Sequence, residues 1–499
     1  MRVLRRCLSD TKCTQCPDSV RGVVTAKTQY NLTNAKEYFE EHLCVGDYYD
    51  EGQRVAGEWV GLGAERLGLS GKVRADDFLR LVGNENPSSG ETLTQRLKTT
   101  RTDDGESAVN RRIFYEFTFS PPKSVSIAAL VSADERIVEA HARAVKSALK
   151  EFETFAATRI RIDGGQSDRL TQNFVTALFT HDTSRALDPH LHTHCIVFNA
   201  TFDSVENRWK ALQNFGLLRA RKFAENLYYH ELSRELRGFG YQIRNRARGD
   251  FEIEGVSEEL CGRFSKRDRE VDEALAKLLA DKPELAGANL KDLRERLATQ
   301  KRTRKQKDLS RAELRTLWDA QLSHTERASL RQLTNQSAKI TLANKPIALD
   351  EAVQWAEDHL FDRNSVVLEC QLWQQALERA RGGNFTLAEL KELTHQRNYV
   401  RNPERPNEVT LRDVLLREME IVETVSRGFG TLWSRKSNPV LNRDRSISLH
   451  QLVALACGTV NGQVEQRRRD AGTEPARNDR QRAAGGSPPR LRLSADACS

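Results

Sequence analysis

Apolar positions in Arg112-Ile-Phe-Tyr-Glu-Phe-Thr-Phe-Ser120 follow a period of two, rich in aromatic and β-branched side chains, which predicts a central strand. The same pattern predicts strands over Thr171 to Phe179 and about Leu191 to Asn199, with the polar Asp182 to Asp188 connecting them, so that His181 lies at a strand end beside its hairpin partner. A period near 3.6 replaces it elsewhere. Ser132 and Glu135 have capping-box spacing, and Ile137, Ala140, Ala144, Ala148, Phe152 and Phe155 then recur on one helical face. Helical patterning returns from Phe223 to Leu236. Asn34 can cap a short helix from Ala35 to His42 that carries Tyr38, after which Gly46 and Gly52 bracket a turn holding Tyr48 and Tyr49. The glycine-rich stretches Gly57 to Gly63 and Leu67 to Gly71 read as loops, and Asn84 to Gly90 as a turn.

These elements predict an α+β fold in which helices cover an antiparallel sheet. The expected organisation is a leader over 1–21, a first domain over 22–325, a smaller, mostly helical region over 333–433 and a tail over 434–499 without packed structure. The stretch from Ser257 to Leu322 is charged and helix-rich, and Ala352, Val353, Trp355 and Ala356 mark the later helices, with turns around Arg401 to Asn407. No aromatic residue follows Trp433, and Arg, Gly, Pro, Ser and Ala dominate from Gln463 onward.

Composition narrows the partners. Hydrophobic residues make up 38% of the 499, enough for a substantial core, and Lys and Arg exceed Asp and Glu by 78 to 70. The resulting charge of +8 is clustered, as at Lys301, Arg302, Arg304, Lys305 and Lys307, and favours nucleic acid as the acidic partner. No run reaches the roughly 18 apolar residues needed to cross a bilayer, and Met1 to Val20 lacks the apolar centre of a secretory signal, so no membrane association and a cytoplasmic location are expected. Nine scattered cysteines form no disulfide framework, and Cys13-Thr-Gln-Cys16 has no second pair to complete a zinc ribbon.

Chemistry concentrates in His181-Asp-Thr-Ser-Arg-Ala-Leu-Asp-Pro-His-Leu-His-Thr-His194. Alternation puts His190, His192 and His194 on one face of a strand, where neutral imidazoles supply part of a coordination sphere for a divalent metal.

Five motifs then occur in order: Glu37-Tyr-Phe, Gly46-Asp-Tyr-Tyr, the stretch from Trp59 to Gly71, Phe117-Thr-Phe-Ser-Pro-Pro-Lys-Ser-Val-Ser126 and the histidine segment. Together they resemble the relaxase domain of MobF-type conjugative relaxases, a branch of the histidine-hydrophobe-histidine (HUH) endonucleases. The resemblance spans roughly Val23 to Trp318. It implies a palm-like domain in which His181, His192 and His194 hold the metal, with His190 on the rim. It implies Tyr38 as the first nucleophile and Tyr48 or Tyr49 as the second, while Phe39 stands where some members have another tyrosine. Glu116 occupies the place of an acidic residue, usually aspartate, that hydrogen-bonds a metal-binding histidine. Lys123 and Arg185 are cations suited to phosphate contact.

The implied activity is metal-dependent, site- and strand-specific nicking of origin-of-transfer DNA through a 5′-phosphotyrosine, followed by rejoining, with no ATP needed for that step. Mg²⁺ or Mn²⁺ fits phosphate oxygens, whereas three imidazoles by themselves favour Zn²⁺, Ni²⁺ or Cu²⁺. Implied partners are single-stranded and hairpin DNA at the origin, with relaxosome and coupling proteins. Family members carry a helicase after this domain. The region 333–433 resembles the part leading into it, but no Gly-x-x-x-x-Gly-Lys-[Ser/Thr] run occurs, so the motor is expected to be missing. A rolling-circle replication initiator and a catalytically decayed origin-binding protein are the alternatives.

Overall fold

The computed structural model describes residues 25–30, 35–36, 38–39, 57–95, 99–101, 107–109, 112–162, 165–246, 249–282, 285, 289–290, 293–294, 296–297, 311–333, 347–403 and 405–435. Tyr48, Tyr49, the leader, the basic run at Lys301 to Lys307 and 436–499 lie outside the described residues.

In chain order the elements that build the site are β1 (Thr25–Gln29), β2 (Glu58–Val60), β3 (Gly71–Lys72), β4 (Phe114–Phe119), α1 (Lys123–Leu130), α2 (Glu135–Glu153), β5 (Ala157–Ile162), β6 (Gly165–Leu170), β7 (Thr176–Thr183), β8 (Pro189–Phe198), α3 (Phe215–Gly238), α4 (Lys266–Asp281) and α5 (Arg311–Asp319). The expected α+β fold is present. Six strands form an antiparallel sheet in the order β1-β4-β8-β7-β2-β3.

Each face of the sheet has its own apolar cluster. Tyr115, Phe117 and Phe119 of β4 and Leu191, Cys195 and Val197 of β8 join Ala140, Ala144, Ala148 and Phe152 of α2 and Ala224, Tyr228 and Leu232 of α3 on one side. On the other, Phe114, Ala177, Phe179, Ile196 and Phe198 pack with Trp59, Phe78 and Phe39. This second cluster covers only part of its face. Glu116, His181, His192 and His194 continue the same alternation beyond it, so polar groups stand where the apolar cover stops.

Several sequence expectations need correction. The stretch from Gly57 to Gly63 contains the strand β2, paired on both sides, and the start of a helix, Leu62–Arg66, and Gly71 begins the edge strand β3. Gly61 has φ 110°, and a Cβ on Gly63 would lie 2.6 Å from the Phe174 carbonyl oxygen, so glycine permits the close approach sealed by Gly63 N–H donating to Phe174 O at 3.1 Å. The strand expected at Thr171 to Phe179 starts at Thr176 and runs through His181 to Thr183. Asp134, not Ser132, caps α2 by accepting from Arg136 N–H. The later region is mostly helical as expected, with helices over Leu349–Phe361, Glu369–Arg379, Leu387–Gln396 and from Arg412, and it adds an unexpected three-stranded sheet of Val367–Leu368, Arg405–Leu411 and Tyr399–Asn402. Its apolar cluster includes Phe223 and Leu227 of α3.

Contact density separates one compact unit, Pro17–Leu415, from a second whose described part is Leu416 to Arg435, the later portion of a helix beginning at Arg412. Among the described residues, no helix is long and apolar enough to cross a membrane.

Candidate metal and phosphotransfer site

Antiparallel pairing of β7 with β8 sets His181 directly opposite His192, and β8 against β4 sets His194 opposite Thr118. Two residues of separation on β8 keep His192 and His194 on one face. The ring centroids form a triangle: 5.4 Å from His181 to His192, 5.2 Å from His181 to His194 and 4.9 Å from His192 to His194. Three imidazoles bound to one ion through nitrogens at about 2.1 Å have centroids roughly 5 Å apart, so the strands already hold the rings at that spacing.

Among the described residues, no group of three or more His, Cys, Asp or Glu side chains stands in a geometry that could hold a metal ion. The triangle of rings has the spacing of such a site without its closed geometry.

The outer partners fit that role. His192 Nδ1 lies 2.8 Å from the His190 carbonyl oxygen, which only accepts, so Nδ1 carries the proton and Nε2 keeps its lone pair. His194 Nδ1 lies 2.7 Å from Glu116 Oε1 and 3.2 Å from Thr118 Oγ1, leaving its Nε2 equally available. Burial, followed by repulsion from His190, His194 and His181, lowers His192 well below the usual imidazole range and favours the neutral form a metal needs. His190 stacks on His192 at 4.6 Å; burial, followed by the charge of Lys123, lowers it to about 3.

Tyr38 reaches the same cluster. Its hydroxyl donates to Glu116 Oε1 at 2.8 Å, so one carboxylate oxygen is shared by the Tyr38 phenol and the His194 ring. Burial by itself would raise the Glu116 pKa, but the bonds and charges of His194, Lys27 and Tyr38 outweigh it and lower it to about 2. Phe39 explains how the phenol is aimed. It is 2% exposed and stacked on Phe78 at 4.0 Å, an apolar plug that anchors the segment while its neighbour Tyr38 turns toward the site.

Lys123 begins α1, and its ammonium donates to the Pro189 carbonyl at 3.0 Å beneath the turn leading into β8; burial lowers its pKa. Arg185 is partly exposed in the connector between β7 and β8.

Sequence reasoning missed a polar chain behind the histidines. Thr193, pointing away from them, bonds Thr180 Oγ1 at 2.9 Å and His141 Nε2 at 2.8 Å, and His141 Nδ1 meets the Tyr228 hydroxyl at 2.8 Å. His141 is fully buried, and burial lowers its pKa to about 3. Its place on the apolar face of α2 gave no signal. Lys27 was missed because β1 is short and polar, yet it pairs opposite Glu116 in the sheet register.

A half-covered antiparallel sheet with three imidazoles on its open face, and a phenol sharing a carboxylate with one of them, is the architecture of a MobF-type conjugative relaxase. The TrwC relaxase family model matches residues 32–325, and the chain belongs to that family.

Two similar proteins are the multifunctional conjugation proteins TraI of Escherichia coli and of its strain K12. The first is 36% identical over 248 residues, 46% of this chain, and the second 36% over 225 residues, 44% of this chain. The matched stretch is only 13% and 12% of those relatives' own length. Among solved structures, the conjugative relaxase TrwC in complex with oriT DNA in a copper-bound form is 31% identical with a TM-score of 0.51. A metal-bound form of the same complex is 31% identical with a TM-score of 0.50; in both, the match covers 62% of this chain and 98% of the other.

Proposed function

We propose that this protein is a DNA strand transferase that nicks one strand at an origin of transfer and later rejoins it, with Tyr38 as the nucleophile. The observation that carries this reading is the oxygen of Glu116 shared by the Tyr38 hydroxyl and His194. His181, His192 and His194 would hold a divalent cation, which supplies Lewis acidity toward the non-bridging phosphate oxygens when bound. Mg²⁺ or Mn²⁺ is the proposed working ion, and the copper-bound relative supports a site open to several divalent metals.

In the proposed reaction Glu116, ionised at neutral pH, accepts the phenol O–H and fixes the direction of the attacking lone pair. The Tyr38 oxygen forms a bond to phosphorus, the bond from phosphorus to the 3′ oxygen breaks, and the phenol proton ends on that leaving oxygen. The 5′ phosphate stays on Tyr38, conserving the ester for rejoining, and the chemistry consumes no ATP. Glu116 acts as a positioning group for both the phenol and His194. Tyr48 or Tyr49 would serve a second transfer, and Arg185 would contact backbone phosphate, while the bond from Lys123 to Pro189 supports an anchoring role for that lysine.

The proposed substrate is single-stranded DNA beside a hairpin, and both TrwC structures named above hold oriT DNA. Residues 22–325 would carry this chemistry, the region 333–433 would follow as a smaller module, and relaxosome and coupling proteins would act with it in the cytoplasm.

Incubation of the protein with single-stranded origin DNA and Mn²⁺, resolved on a denaturing gel, tests the reading. Wild type forms a covalent adduct and His192→Ala binds DNA without forming one. Equal DNA binding with no adduct from wild type would make the protein an origin binder. Cleavage confined to a replication origin would make it a rolling-circle initiator.

A further inference from the structure

The turn between the two histidine-bearing strands is held at three consecutive residues by three elements distant in sequence. The Trp318 indole of α5, 1% exposed, donates to the Leu187 carbonyl at 2.7 Å. Asp188, also 1% exposed, accepts from the Lys266 backbone N–H of α4 at 2.8 Å and lies 3.4 Å from the Lys266 ammonium. The third tie is Lys123 of α1 to the Pro189 carbonyl, at 3.0 Å.

Leu187 itself has φ 59°, a left-handed conformation that a leucine adopts only when its surroundings impose it. The ladder between β7 and β8 is irregular between Pro189 and His192: Pro189 pairs with Thr183, and the regular register with His192 opposite His181 begins only beyond that shift. A slip of one residue in β8 would send His192 and His194 to the opposite face of the sheet.

We propose that Trp318, with Lys123 and Lys266, is a positioning residue for the imidazole site: helices from upstream and far downstream lock the turn and thereby set the register that presents His192 and His194. This rests on the metal-site reading above. It makes α4 and α5 working parts of the metal site, although neither contributes a ligand. The Trp318 bond is the most separable of the three ties, because phenylalanine keeps an aromatic ring in the core while removing the N–H, together with part of the buried volume of the indole.

Titration of the metal-free full chain with Mn²⁺ alone, by calorimetry, tests this in wild type, Trp318→Phe and His192→Ala. Amide hydrogen exchange over Thr183 to Leu191 is followed in parallel. The expected result is binding by wild type, its loss in His192→Ala, and affinity lowered on the order of 10-fold in Trp318→Phe, with faster exchange in the turn. Lys123→Met, which removes a different tie to the same turn, is expected to shift both readouts in the same direction and serves if Trp318→Phe does not fold. A purely structural role for Trp318 would lower the melting temperature while folded protein bound Mn²⁺ with wild-type affinity, and that result would overturn the inference. Failure of wild type itself to bind Mn²⁺, or binding unchanged in His192→Ala, would instead remove the metal-site reading on which the inference stands.

Discussion

Shortening or neutralising Glu116 probes the site most finely, because its two shortest hydrogen bonds end on one oxygen, from Tyr38 at 2.8 Å and with His194 at 2.7 Å, beside a longer one from Thr118 at 3.4 Å. The Glu116 Cα is fixed by the pairing of β4 with both β1 and β8. Removing one methylene in Glu116→Asp therefore draws the carboxylate back by roughly 1.5 Å, the length of one carbon–carbon bond. At that distance it no longer reaches both partners within about 3.2 Å. Glu116→Gln keeps the length and the shared oxygen but loses the charge, and Glu116→Ala loses both. Loss of a carboxylate partner from a metal-binding imidazole costs about 10- to 100-fold in metal affinity. The expected order of Mn²⁺ affinity is wild type, then Gln, then Asp, then Ala, with Ala near the 100-fold end and Gln near the 10-fold end of that range. Calorimetric Mn²⁺ titration gives the affinities, and single-turnover nicking at saturating Mn²⁺ separates the phenol-aiming role from the metal role. Wild-type affinity in all three variants would refute the argument. An aspartate variant that outperformed wild type would show that β4 moves to follow the shorter arm, also against the reasoning.

Phe39→Ala should cost about 3–5 kcal/mol in denaturant unfolding, since it empties the stack on Phe78, and retained stability would show that the plug is dispensable. Glu153 predicts a pH dependence. It accepts Leu62 N–H and Phe174 N–H, each at 2.8 Å, and burial raises its pKa to about 7 from 4.5. The folded state thus holds this proton more tightly than the unfolded chain, so its contribution is full below about pH 4.5 and declines by up to about 3 kcal/mol as pH rises through 7. Glu153→Gln should flatten that decline in melts run from about pH 5 to about pH 8, and an unchanged slope would assign it to other groups.

Much of the site was legible because strand alternation is local. His192 and His194 share a face through their own spacing, and Glu116 and Tyr38 followed from ordered motifs that resemble a known family. Alternation also placed His190 beside them, and its ring does stack on His192. The strand β7 was read too far upstream because Thr180-His-Asp-Thr183 is polar, and only tertiary burial makes it strand. The hairpin of β5 and β6 was invisible because Gly165 to Leu170 is mostly exposed and charged or polar, with no apolar face to betray it. Trp318 and Asp188 could not be found from spacing, since their partners lie 131 and 78 residues away in the chain. A buried His141 gave no signal because, on an amphipathic helix, the pattern does not say whether a histidine meets an apolar wall or a threonine.

The central claim is that the Tyr38 phenol attacks DNA beside the three imidazoles. Proteolysis of the trapped protein–DNA adduct and mass spectrometry of the nucleotide-bearing peptide test it directly. The modification should fall on the peptide containing Tyr38 and disappear with Tyr38→Phe under conditions of a single turnover. Nucleotide mass on Tyr48 or Tyr49 with Tyr38 unmodified would contradict the account.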